Sequence, residues 1–377
     1  MKTSNYLWAM LATATLSLTA CGSDENESVN QSKEKTARLE LTLVGTPADS
    51  RATGELPTDD ESQINRLTVA VFTGAEGNPV NALHEFTGDD IKAATGGTGK
   101  KITMLCEPGT GQTIYVVANA ASKLFAGVTN LAGFQAKLAL LSETTKSAGT
   151  GDVTDAQKAN NLPMLGISTG KDFTAGTETE AEIALSRLVA RVSISSIKTA
   201  FDAAGQFKDA TFKVDAVYLK NANSSVNMKK EGSVPINGGH EGAVVTKYLY
   251  EAVTGHTANT ELKTPYYFYT FPNVSEDNPT RLIIKGTFDA DGAGSASTAV
   301  TRYYPIVINK KQANTTISGG SGTDKGSIAA NTRYVLTAVI KGEGAADDKT
   351  DIDPATLQLT VTVADWELTI RQDVTFE

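Results

Sequence analysis

Trp366-Glu367-Leu368-Thr369-Ile370-Arg371-Gln372-Asp373-Val374-Thr375-Phe376-Glu377 closes the chain as an alternation of apolar and polar residues. Trp366, Leu368, Ile370, Val374 and Phe376 share one face, interrupted by Gln372, while Glu367, Thr369, Arg371, Asp373, Thr375 and Glu377 share the other. A period of two predicts a half-buried β-strand, about 40 Å long at roughly 3.3 Å per residue. A terminal strand frays unless a sheet pairs with it, in its own subunit or in another molecule. Upstream, Leu357, Leu359, Val361 and Val363 are apolar at odd positions, whereas the terminal run uses even ones. The face therefore reverses near Ala364-Asp365, where a bulge or corner is predicted. Residues before the reversal are expected to pair within the subunit, and residues 365–377 to be available to a neighbour.

Further back, short apolar runs recur: Leu67 to Phe72, Thr113 to Ala118, Val189 to Ile197, Phe212 to Leu219, Tyr266 to Phe271, Arg281 to Ile284, Arg302 to Ile308 and Arg333 to Ile340. Gly, Asn and Asp clusters separate them, which is the pattern of antiparallel sandwiches. The 377 residues suffice for about two domains with their own cores. A fresh alternating run at Val189-Ala190-Arg191-Val192-Ser193-Ile194 puts the boundary near Ser186. The expected architecture is all-β, with sandwich domains over 52–186 and 187–364. One helix is expected, over Leu131 to Leu141, where Leu131, Phe134, Leu138 and Leu141 fall at helical spacing.

The N-terminus reads as an export signal. Lys2 opens a short positive region, Tyr6 to Leu18 is mostly apolar, and Leu18-Thr19-Ala20-Cys21 follows. The apolar stretch is shorter than the roughly 20 residues a spanning helix needs. Small residues before a cysteine form a lipobox, so 1–21 is expected to be a lipoprotein signal with Cys21 the lipidated residue. Gly22-Ser23-Asp24-Glu25-Asn26-Glu27 then gives an acidic tether. With Cys21 acylated, Cys106 has no partner for an intramolecular disulfide. It lies in an apolar strand pattern, as a buried thiol would.

No catalytic, metal or cofactor site emerges. The net charge is −9, from 43 acidic and 34 basic residues, and no basic patch suits nucleic acid. His84, His240 and His256 are scattered and read as exposed loop residues, without the pairing of zinc sites. Gly96-Gly97-Thr98-Gly99-Lys100-Lys101 has Ala94 where a phosphate loop needs its first glycine, and Lys101 where it needs Ser or Thr. Asp289-Ala290-Asp291-Gly292 lacks the later ligands of a calcium loop and reads as a hairpin turn. Asp347, Asp348, Asp351 and Asp353 form an acidic loop, read as solvated, with weak calcium binding as the alternative.

A second amphipathic strand follows the tether. Ala37, Leu39, Leu41 and Leu43 alternate with Arg38, Glu40 and Thr42. Then comes a Gly/Pro-flanked polar stretch, Gly45-Thr46-Pro47-Ala48-Asp49-Ser50-Arg51-Ala52-Thr53-Gly54, which would present Arg51 to a protease. Cleavage between Arg51 and Ala52 would make 22–51 a removable segment. Its loss would open an apolar groove with unpaired backbone groups, which the C-terminal strand of a second molecule has the pattern to fill.

At this point the residues resemble a family. The lipobox at Cys21, Ala37-Arg38-Leu39-Glu40-Leu41, Arg51-Ala52, Asp59-Asp60-Glu61-Ser62 and Leu67-Thr68-Val69-Ala70-Val71-Phe72 are similar to the fimbrillins, or type V pilins, and most of all to their FimA-type major shaft subunits. So are Val116-Val117-Ala118-Asn119, Leu162-Pro163-Met164, Arg187-Leu188-Val189-Ala190-Arg191, Tyr334-Val335-Leu336-Thr337 and Val361-Thr362-Val363-Ala364-Asp365-Trp366. The resemblance implies two transthyretin-like β-sandwich domains and a precursor carried to the outer membrane as a lipoprotein. It also implies an Arg-specific surface protease that removes the first strand, and polymerisation by donated C-terminal strands into an adhesive fimbrium. Partners would be further copies of the chain and minor anchor and tip subunits. Anchors would keep the N-terminal strand and tips would lack a donor strand, so the presence of both the Arg51 loop and the Trp366 strand favours a shaft subunit over either. A monomeric surface lipoprotein binding glycan or host protein would share the signal and the sandwiches.

Overall fold

The computed structural model describes residues 36–45, 59–88, 102–147, 151–154, 156–236, 246–294, 298–320 and 322–366. Strands dominate. The first sheet contains β1 (Ala37–Gly45), β2 (Arg66–Phe72), β3 (Val80–Thr87), β4 (Ile102–Cys106), β5 (Gly109–Ala118), β7 (Met164–Phe173) and β8 (Glu178–Arg187), with β6 (Leu138–Leu140) set apart. Its order is β3-β2-β5-β7-β8-β1-β4. The sheet folds over on itself: Leu67, Val69 and Val71 of β2 pack in one cluster with Leu39 and Leu41 of β1 and with Ile183 and Leu185 of β8. Ala70 and Phe72, on the opposite face of β2, join a second cluster with Phe134. Burial on both faces explains why β2 reads as a continuous apolar run rather than an alternation.

The described residues also build three more sheets. β9 (Ala190–Thr199), β14 (Tyr266–Thr270), β17 (Thr315–Ser318), β18 (Thr332–Ile340) and β19 (Leu357–Asp365) form one, in the order β14-β9-β18-β19-β17. β10 (Thr211–Lys220), β13 (Tyr250–Ala252), β15 (Arg281–Asp289) and β16 (Ala299–Val307) form the second, in the order β13-β10-β15-β16. Phe212, Leu282 and Tyr304 from one and Val192, Leu336 and Val361 from the other meet in a shared apolar layer, a sheet-on-sheet sandwich. Sheet membership changes between Arg187, the last residue of β8, and Ala190, the first of β9. The junction is closed by the third sheet, β12-β11-β6, in which Leu138–Leu140 pairs with β11 (Ala222–Asn227), followed by β12 (Gly232–Ile236).

That pairing overrides the helix expected over Leu131 to Leu141. The helix α1 spans only Leu131–Gln135, capped by Asn130, whose Oδ1 accepts the Gly133 N–H at 2.8 Å. Phe134 and Leu141 are buried as their spacing predicts, but Leu138 is 42% exposed. The backbone of Leu138–Leu140 finds its partners across the junction instead of in a third helical turn. Helical periodicity in a short segment is a weak constraint when a sheet edge lies beside it.

Gly286 in β15 marks a close approach. A Cβ there would stand 2.2 Å from Phe212 Cζ and 2.4 Å from the Lys213 carbonyl oxygen, beside the bulge between Val214 and Ala216. Gly286→Ala is expected to lower unfolding free energy by about 1–3 kcal/mol, the usual range for overpacking. Chemical denaturation reads this directly, and an unchanged midpoint would contradict the packing.

Candidate assembly site

β1 is an interior strand. It pairs in parallel with β8 from Arg38↔Glu178 to Gly45↔Leu185 and antiparallel with β4 from Ala37↔Cys106 to Leu41↔Ile102. The alternation seen in the sequence is realised: Ala37, Leu39 and Leu41 are at most 1% exposed, Leu43 is half-buried, and Arg38 faces solvent. Each fully buried leucine contributes roughly 1.5–3 kcal/mol. Among the described residues the ladder of β4 is with β1, so taking β1 away leaves β4 unpaired and the edge of β8 open. Cys106 lies opposite Ala37 on this strand, and burial pushes its thiol up to about 11, a hydrogen bond to the Leu39 backbone opposing the shift. It is therefore protonated at neutral pH and a poor nucleophile.

The two sides of the 46–58 segment are fastened to the same end of β8. Gly45 pairs with Leu185, while Arg187 Nε donates to the Glu61 carbonyl at 3.0 Å and Arg187 Nη2 to Ser62 Oγ at 3.1 Å. Glu61, on a 3-10 turn over Asp59–Ser62, is 4% exposed. Its Oε1 accepts from Arg191 Nη1 at 2.7 Å and from the Tyr269 hydroxyl at 2.8 Å. Its Oε2 accepts the indole N–H of Trp366 at 3.1 Å. The Trp366 ring lies stacked on Tyr269, centroids 5.8 Å apart at 9°, with the Arg187 guanidinium 4.3 Å from its centre. Burial pushes Arg187 down to about 10, the Glu61 carboxylate opposing it, and raises the Tyr269 hydroxyl, so both remain protonated donors at neutral pH. Removing one member of such a buried pair commonly costs about 3–5 kcal/mol.

The family models divide the chain along these same features. A model of the FimA major fimbrial subunit protein matches residues 37–187, from the first residue of β1 to the last of β8. A model of the FimA4 pilin C-terminal domain matches residues 230–366, ending at Trp366. The chain belongs to the FimA family of fimbrial subunits. It is 26% identical to the major fimbrium subunit FimA type-2 of Porphyromonas gingivalis, over 97% of this chain and 98% of that one. Its identity to FimA type-3 of the same organism is 25%, over 95% and 96%. A crystal structure of a P. gingivalis fimbrilin shares the fold, with a TM-score of 0.62 at 17% identity, covering 88% of this chain and 99% of that one. The FimA-family chain is thus a structural subunit of a cell-surface fimbrium.

The structure brings some predicted site residues together and moves one. Ala37, Leu39, Leu41 and Leu43 lie on β1, between β8 and β4. Cys21, Arg51, Ala52, Leu368, Ile370, Val374 and Phe376 lie outside the described residues, as do His240 and the 96–101 turn. Trp366, expected on the donated face, is instead 3% exposed inside its own subunit's core. Near the expected face reversal at Ala364-Asp365, β19 keeps register with β18 through Asp365↔Thr332, the Trp366 amide donates to the Asn331 carbonyl, and the Trp366 side chain is buried.

The acidic loop is not simply solvated. Asp348 is buried, accepting from Lys220 Nζ at 2.6 Å and from the Tyr218 hydroxyl at 2.9 Å. Asp351 pairs with Arg281, Asp347 accepts the Lys349 and Thr350 amides, and Asp353 accepts the Ala355 amide. Among the described residues no three acidic, His or Cys side chains group as metal ligands. Asp289 and Asp291 close the β15–β16 hairpin through the Gly294 and Ala293 amides. His256 is half-buried rather than exposed, its Nδ1 accepting from the Val214 amide at 3.0 Å and its Nε2 lying 3.1 Å from the Thr260 carbonyl. Glu61, Arg187 and Tyr269 carried no role in the sequence reading. The available signal was the pair of arginines flanking Leu188-Val189-Ala190, since charge inside an apolar run demands a buried partner.

Proposed function

We propose that this chain is the shaft subunit of its fimbrium, exported as a lipoprotein through Cys21, cleaved between Arg51 and Ala52, and polymerised when a neighbour's C-terminal segment replaces β1. The observation that carries this reading is the position of β1. It occupies an interior slot in the sheet yet precedes the Arg51 segment, so one cut upstream of Asp59 severs it from the rest of the fold. Partners on this reading are further copies of the chain, minor anchor and tip subunits, an Arg-specific surface protease, and the outer membrane that holds the precursor. Adhesion is the expected role of the assembled fimbrium. The test is the mature N-terminus of protein taken from the cell surface. Ala52 as first residue supports the scheme, and a mature chain that still contains Ala37 to Leu43 refutes it.

Cys106 reports on the same step. With Cys21 acylated it is the remaining thiol in the sequence, and β1 covers it. Labelling by a thiol reagent is expected to be slow in the precursor. It should rise by on the order of tenfold or more in a processed monomer whose groove is open, and fall again in the polymer. Equal rates in precursor and processed monomer would show that β1 has not left.

A further inference from the structure

The residue from which the C-terminal segment departs is held on every side. Trp366 donates its backbone N–H to the Asn331 carbonyl at 3.0 Å and accepts from Arg187 Nη1 at its own carbonyl at 3.2 Å. Its indole N–H is bound by Glu61, one ring face is covered by Tyr269, and the Arg187 guanidinium lies against the ring. A residue held at both backbone and side chain is a fixed point, so a pull applied beyond it is borne first by Trp366 and its partners rather than by β19. Arg187 is also the last residue of β8, and two positions earlier Leu185 pairs with Gly45 of β1. The occupant of the groove and the root of the outgoing segment are thus fastened to one strand.

We propose that Arg187 and Glu61 are positioning residues that anchor the root of the C-terminal segment to the end of β8, making β8 the member along which tension passes from the strand a subunit accepts to the strand it gives. The second half of this statement rests on the strand-exchange reading above. Arg187 and Glu61 together tie three stretches far apart in sequence: the turn after the processing segment, the end of the first sheet, and the last described residue. The strand seated on β8 is pulled along its own length, so its ladder bonds are loaded together rather than one after another.

The sequence supplies the probe. It contains two tryptophans, Trp8 and Trp366, so the full chain carrying Trp8→Phe reports on Trp366 alone. In the precursor, Arg187→Met and Glu61→Ala are expected to shift its emission to longer wavelength and raise acrylamide quenching several-fold. Gly286→Ala, which weakens the fold elsewhere, should leave both unchanged. Arg187→Lys, which keeps charge and most of the packing, serves if Arg187→Met does not fold, and should give an intermediate rise. Unchanged quenching in the folded Arg187 and Glu61 variants overturns the anchorage. Fimbriae from these variants should break at lower shear than wild type and Gly286→Ala fimbriae, and breakage at wild-type shear overturns the load path. If wild-type chains form no strand-exchanged polymer, the proposed function falls, while quenching in the precursor still decides the anchorage.

Discussion

Arg51→Ala is expected to leave a full-length, membrane-held precursor that forms no fimbriae. In that precursor β1 remains joined to the subunit whose groove it fills, paired along β8 and β4 with Ala37, Leu39 and Leu41 buried. A tethered strand acts at an effective concentration of about millimolar. Against competing subunits at roughly micromolar concentration that is an advantage of about a thousandfold, or some 4 kcal/mol. The competitor must also break two existing ladders before making its own. Gels of unboiled surface extracts should therefore show monomer for the variant and a ladder for wild type. A wild-type ladder from Arg51→Ala would place the processing site elsewhere.

Leu368→Asp with Ile370→Asp is expected to abolish polymerisation while leaving secretion and processing intact. Two carboxylates would have to enter a slot lined by Val69, Ile114, Met164 and Ile183, and burying an unpaired charge costs several kcal/mol even after relaxation. The structure sharpens where such changes belong. A truncation that includes Trp366 removes an indole from the subunit's own core, a loss comparable to the about 3–5 kcal/mol of large-to-small aromatic replacements. Truncation after Trp366 should spare the monomer. A folded, processed double-aspartate variant that still forms ladders would show that another surface joins the subunits.

What the sequence made legible was periodicity, and what it hid was partnership. Ala37, Leu39 and Leu41 declared a buried face by alternation, and the face reversal at Ala364-Asp365 was visible from parity alone. Neither observation names the strands on either side, because β8 and β4 lie far along the chain and ladder bonds are made by backbone, which every residue shares. Trp366 was assigned to the donated face for the same reason. A large apolar residue fits the alternation whether the sheet it enters is its own or a neighbour's, and only Glu61 and Arg187 decide between them. The helix over Leu131 to Leu141 failed because Leu138 and Leu140 satisfy a strand pattern as readily as a helical one. The strand seated between β8 and β4 was thus found by pattern, whereas the junction around Trp366 required the fold.

On the strand-exchange reading, the interior position of β1 would set the tempo of growth as well as its chemistry. If subunits join by strand exchange, an incoming strand must enter between β8 and β4 rather than beside an existing edge, so its entry waits on the departure of β1, an event within one molecule. At low subunit concentration elongation should rise in proportion to supply, and at high concentration it should level off at the rate of that departure. A fimbrium built this way has an upper speed limit written into a single subunit, so an excess of precursor at the cell surface would lengthen the queue without lengthening the filament any faster.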